Sequence, residues 1–104
     1  MTATPAQLAA QLDAEGFFVD PHQWSEDLVP ELARRAGIDE LTDEHWQVVR
    51  FMREQWRTTG AGPSVRALSK TSGVPIKRLY ELFPKGPAKT AARIAGIPKP
   101  RGCI

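Results

Sequence analysis

At 104 residues the chain has room for one domain and is too short for two ordinary ones. Its 41% apolar share puts a compact core within reach despite nine prolines and eight glycines, and no apolar run approaches the ~20 residues of a membrane span. The net charge of +2 hides a segregation: Met1 to Val49 carries ten acidic and two basic residues, and Arg50 to Ile104 carries twelve basic residues against Glu54 and Glu81. The second half therefore offers a positive field suited to nucleic acid or an acidic protein, unless the two halves neutralise each other across the fold. One cysteine forms no internal disulfide, and Met1-Thr2-Ala3-Thr4-Pro5 lacks the layout of a secretion signal, so a cytoplasmic location is expected.

In chain order, Gln7 to Leu12 reads as either a helical turn or a short strand. Glu15-Gly16 reads as a turn and Phe17-Phe18-Val19 as a strand ending at Asp20-Pro21, which together predict a small N-terminal β-hairpin. Ser25 is placed to cap a helix that runs to about Ala36 and stops at Gly37, although Pro30 pushes its regular part to begin near Val29. Thr42, followed by Asp43 and Glu44, is the clearest helix start, and this helix should end at Thr58 or Thr59 before Gly60. Trp46, Val49, Met52, Arg53 and Trp56 share one of its faces, a stripe best read as core packing. Shorter helices are expected from Pro63 to about Lys70, from Pro75 to Phe83, and from Pro87 to Gly96. Residues 97–104 hold Pro98 and Pro100 and read as an extended arm, with Gly102 a swivel before Cys103. The expectation is a mainly α (α+β) single domain, with a globular body over 1–96 and a flexible arm over 97–104.

Cys103 is the candidate chemical group. A thiolate is the reactive form of cysteine, and the nearby cations Lys99 and Arg101 favour it, while the carboxylate of Ile104 opposes them. A thiol near the end of a stiff arm can visit two different protein pockets. An idle surface cysteine is the plain alternative. His45, at the start of the long helix, is best explained by packing or a hydrogen bond there. His22 has no partner motif, two histidines and one cysteine have no ligand spacing, and no resident metal or cofactor is expected. No nucleophile–base pair or phosphate loop is present, and the three tryptophans read as core.

The runs from Leu79 to Lys89 (LYELFPKGPAK) and from Ile94 to Ile104 (IAGIPKPRGCI) closely resemble the C-terminal signature of the TusE/DsrC/DsvC family. Gly16-Phe17-Phe18-Val19-Asp20, Trp24, Leu41-Thr42, His45-Trp46, Arg53, Pro63 and Arg66 also fall where that family has similar residues. The resemblance implies a helical bundle with a small N-terminal β-hairpin or meander and a mobile C-terminal arm whose penultimate cysteine, here Cys103, carries persulfide sulfur. DsrC proteins have a second cysteine in the helix before the arm, and the matching position here is Ala92. The single-cysteine pattern resembles TusE. It implies a carrier rather than a pocket enzyme, one that takes sulfur from a TusBCD-like donor complex and passes it towards an MnmA-like thiouridylase for wobble-uridine 2-thiolation, with tRNA nearby. The other pathway it allows is dissimilatory sulfur metabolism, with sulfite reductase or sulfur-oxidation partners. Lys85, Lys89, Arg93, Lys99 and Arg101 are candidates for partner docking, and Arg66 matches a family arginine near the arm.

One reading of another class remains. Residues 63–83 also resemble a helix-turn-helix, with Lys77 and Arg78 at the start of its second helix, where a DNA reader would place them. No ligand-binding or dimerising region follows, and such a regulator would have no use for the Pro-Lys-Pro-Arg-Gly-Cys ending.

Overall fold

A computed structural model describes residues 5–100. Its helices are α1 (Pro5–Gln11), α2 (Val29–Arg35), α3 (Asp43–Thr59), α4 (Val65–Ser72), α5 (Ile76–Leu82) and α6 (Pro87–Ala95), with 3-10 turns at Pro21–Gln23 and Glu26–Leu28. The mainly helical expectation holds.

The N-terminal β-hairpin does not. Among the described residues there is no strand, only an isolated antiparallel bridge between Leu12 and Phe18. Around it the Asp13 N–H donates to Phe17 O (2.8 Å) and the Val19 N–H to Gln11 O (3.0 Å). The physical reasons are local. The residues ahead of the bridge form α1, which buries Leu8. Phe17 and Phe18 are both buried, which breaks the alternation that a half-buried strand requires. The Asp13 carboxylate accepts from the backbone of Glu15 (2.9 Å) and Phe17 (3.0 Å), closing an Asx-type turn. Asp20 then caps the next turn through the His22 N–H (3.0 Å), and Pro21 has no N–H with which to extend a ladder.

Ser25 does not cap one long helix. Its side chain makes no cap bond, and Glu26–Leu28 forms a separate 3-10 turn ahead of α2, because the ring of Pro30 crowds the carbonyl four residues back. α3 starts and stops where its signals place it. Thr42 accepts from the His45 N–H (3.4 Å), and His45 Nδ1 accepts from the Thr42 N–H (3.0 Å), a capping box with histidine in the usual Glu position. Nδ1 is thereby the acceptor, so the proton sits on Nε2, which donates to Leu82 O at 2.9 Å. This buried histidine stands edge-on to Phe83, with ring centroids 5.2 Å apart, and ties the start of α3 to the end of α5.

α3 packs most extensively on α6. From α3 come Val48, Val49 and Met52; from α6 come Ala88, Ala91, Ala92, Ile94 and Ala95, all 0% exposed. The alanines let the two helix axes approach closely. The expected stripe on α3 is therefore shifted: Val49 and Met52 are core, whereas Trp46 and Trp56 are half-buried at its edge. The two oppositely charged halves do meet. Arg50 pairs with Glu26 (3.0 Å), Lys99 with Glu15 (3.0 Å) and Arg78 with Glu44, so part of the basic half is neutralised by surface pairs across the fold. No helix among the described residues is long and apolar enough to cross a membrane.

Candidate functional site

The last described element with a bearing on Cys103 is the end of α6, from which the arm leaves. A helix C-terminus leaves its final carbonyls without intrahelical donors. Here each has a named partner. Gly96 takes the left-handed conformation (φ 67°) as the cap, and the Ile97 N–H returns to Ala92 O at 3.1 Å, as in a Schellman closure. The Ile94 carbonyl accepts from Trp24 Nε1 at 2.8 Å. The carbonyls of Ala95 and Gly96 accept from Arg53 Nη1 at 3.1 and 3.3 Å, and the same nitrogen reaches Pro21 O at 3.2 Å.

The guanidinium of Arg53 lies 4.3 Å from the Trp24 ring centroid and 5.1 Å from that of Trp56. Burial pushes its pKa down from the ordinary value, but an arginine remains cationic there. Trp24 also covers Gly96 so closely that a Cβ at residue 96 would sit 2.3–2.7 Å from the indole and its Cβ. Beyond Gly96 the chain stays on the body as far as it is described. Ile97 is fully buried and Pro100 is buried, and both lie against Gly62 in the loop between α3 and α4.

Of the candidate residues, three are brought together. Lys99 Nζ lies 3.0 Å and Lys89 Nζ 4.0 Å from Glu15 Oε2, and Arg93 stacks over Phe17 with 5.1 Å to the ring centroid. Arg93 Nε is buried without a hydrogen-bond partner, and the aromatic face is the compensation it has. Arg93 and Glu15 also border a cleft of about 340 Å³ between the Glu15-Gly16 turn and the end of α2. Lys85 is exposed ahead of α6, and Arg66 is exposed on α4 with no partner among the described residues. Cys103 and Arg101 lie outside the described residues. Ala92, which stands where DsrC has its second cysteine, is 0% exposed.

Helices α4 and α5 do form a helix-turn-helix-like pair about Gly73. Its reading head is engaged elsewhere: Arg78 Nε donates to Glu44 at 3.0 Å and Nη1 to Glu81 at 3.2 Å. These carboxylates raise the Arg78 pKa and hold the Glu44 pKa below its ordinary value, so a phosphate would have to displace both.

Sequence reasoning missed the roles of Arg53, Trp24 and Glu15. Arg53 carried a usable signal, since a cation within an apolar helical stripe implies acceptors buried beside it. Trp24 and Glu15 carried none, because their partners lie 70 and 84 residues away.

Comparison with known proteins agrees with this geometry. The family model described as DsrC like protein matches residues 5–104. Sulfurtransferase TusE of Pectobacterium atrosepticum is 46% identical over 99 aligned residues, covering 88% of this chain and 90% of that protein. The dissimilatory-type sulfite reductase gamma subunit of Nitratidesulfovibrio vulgaris is 36% identical, covering 90% of each. The NMR structure of Allochromatium vinosum DsrC superposes with a TM-score of 0.79 at 39% identity, covering 89% of this chain and 88% of that one. The chain belongs to the DsrC-like family.

Proposed function

We propose that the protein is a cytoplasmic sulfur carrier whose working atom is Cys103 Sγ. The observation that carries this reading is likeness to TusE sulfurtransferases over nearly the whole chain. Placing the sulfur on Cys103 is supported by its being the single cysteine, at the end of the Ile94–Ile104 signature.

The transfer balances without an external oxidant or reductant. The Cys103 thiolate attacks the outer sulfur of a donor persulfide, R–S–SH. A new S–S bond forms to Cys103, the donor S–S bond breaks, and R–S⁻ departs, leaving Cys103–S–SH. An acceptor thiolate then attacks the outer sulfur of Cys103–S–SH, becomes the persulfide, and releases Cys103 as a thiolate. Arg101, two residues before Cys103, favours the thiolate at each end of the cycle, while Lys99 is engaged by Glu15. The body supplies the arm and its docking surface, with Lys85, Lys89, Arg93 and Arg66 as partner contacts.

The donor in this reading is a TusBCD-like complex and the acceptor an MnmA-like thiouridylase. Ala92 favours it over a role beside sulfite reductase, because the two-cysteine redox chemistry of DsrC has no second thiol here. The test is a reconstitution with labelled sulfur, donor complex, thiouridylase and unmodified tRNA. The expected result is 2-thiouridine formed with this chain and not with Cys103→Ser. Equal product with Cys103→Ser, or none with the native chain, would reject the assignment.

A further inference from the structure

We infer that Arg53 is a positioning residue for the arm that carries Cys103, acting through the backbone carbonyls at the end of α6. The consequence for sulfur transfer rests on the carrier reading; the aim of the arm does not.

One nitrogen, Nη1, serves the carbonyls of Ala95, Gly96 and Pro21 at 3.1–3.3 Å. Two indoles hold the plane of the guanidinium, so the direction of its N–H bonds is fixed before the arm is considered. The orientation of the Ala95 and Gly96 carbonyls is the orientation of the two peptide planes from which the arm departs. Gly96 has no side chain to restrict it, so these hydrogen bonds and the Trp24 indole, together with the Ile97 N–H to Ala92 O bond and the burial of Ile97 and Pro100, select one conformation at the pivot.

Pro98 and Pro100 then make the segment stiff, and a stiff segment transmits an error at its root. Ile97 and Pro100, seated against Gly62, carry the placement set at the pivot on to the last described residue of the arm. The cost is a partly desolvated cation that makes no ion pair among the described residues, a feature that mere packing of α3 on α6 does not call for.

The test uses the full chain with nitroxide labels on Cys103 and on a cysteine introduced by Glu40→Cys, an exposed site. The expected result is at least a twofold broader distance distribution in Arg53→Met than in the native background, with far-UV circular dichroism unchanged at the measuring temperature. Arg53→Lys, which keeps the charge without the planar fork, should recover part of the width. In unlabelled protein, inorganic polysulfide should load Cys103 at rates within twofold in native and variant chains, because a small reagent needs no aimed arm. Identical distance distributions in native and Arg53→Met chains would overturn the inference. Should Arg53→Met fail to fold, native and Arg53→Lys chains carry the same comparison, with identical widths again overturning it. Failure of the native chain to load sulfur would sink the carrier reading and leave the distance result to stand or fall by itself.

Discussion

Gly96→Ala is the substitution the geometry singles out. Gly96 has φ 67°, and the added methyl would lie 2.3 Å from Trp24 Cδ1, 2.5 Å from Cγ and 2.7 Å from Cβ. The indole cannot swing aside freely, because Nε1 is bonded to Ile94 O and Arg53 stacks on the ring. A left-handed non-glycine residue costs about 1–2 kcal/mol. Forcing the indole from its site adds about 1–3 kcal/mol of overpacking. Losing the Trp24 hydrogen bond adds about 1 kcal/mol. The total is about 3–6 kcal/mol, a large part of the 5–15 kcal/mol that holds a domain of this size together. Gly37→Ala is the matched control: φ is 88°, and nothing lies within 4 Å of its added methyl, so only the backbone term of about 1–2 kcal/mol applies. At about 4–8 °C per kcal/mol, Tm should fall by at least ~12 °C for Gly96→Ala, and by at most about two-thirds of the Gly96→Ala shift for Gly37→Ala. Thermal melts followed by circular dichroism, with urea unfolding alongside, read the difference. Two variants within ~1 kcal/mol of each other would refute the claim that Trp24 closes over the pivot.

His45→Ala removes both the acceptor for the Thr42 N–H and the donor to the buried Leu82 carbonyl, and should cost about 2–4 kcal/mol in urea unfolding. His45→Gln, which restores the usual capping-box residue, should regain about 1 kcal/mol, and a loss below ~0.5 kcal/mol for His45→Ala would remove the helix-start role. Glu44 is held below its ordinary pKa, first by its hydrogen bond to Arg78 and then by the charge of Arg78. Its contribution to stability is therefore fully present above the ordinary glutamate value and is lost as pH falls through the depressed native value. Carboxyl NMR titration should show Glu44 moving up in Arg78→Met, and an unmoved titration would contradict the pairing.

The helices were legible wherever a local signal decided them. Thr42 and Gly60 delimit α3 from sequence alone, Pro30 announces the late start of α2, and Pro87 with Gly96 bounds α6. The hairpin was misread because Phe17 and Phe18 look like a strand, while the tertiary core takes both rings inward and the Asp13 turn satisfies the backbone that a second strand would have served. The edge position of Trp46 and Trp56 was not legible, since helical periodicity gives a face but not the width that a partner covers. The basic half left two readings open, a positive field or neutralisation across the fold, and Arg50, Arg78, Lys89 and Lys99 do meet acids contributed by the first half of the chain. The clamp on the arm root shows in the sequence only as a cation within an apolar stripe, because its partners are backbone carbonyls, which every residue has and no motif records.

The central claim is that Cys103 carries sulfur, and intact-mass spectrometry tests it most directly. The pure protein is incubated with inorganic polysulfide beside Cys103→Ser, and both are weighed without reductant. The account predicts an added sulfur atom on the native chain that reductant removes, no added sulfur on Cys103→Ser, and the same Tm for both. No added sulfur on the native chain, or equal addition to the variant, would contradict it.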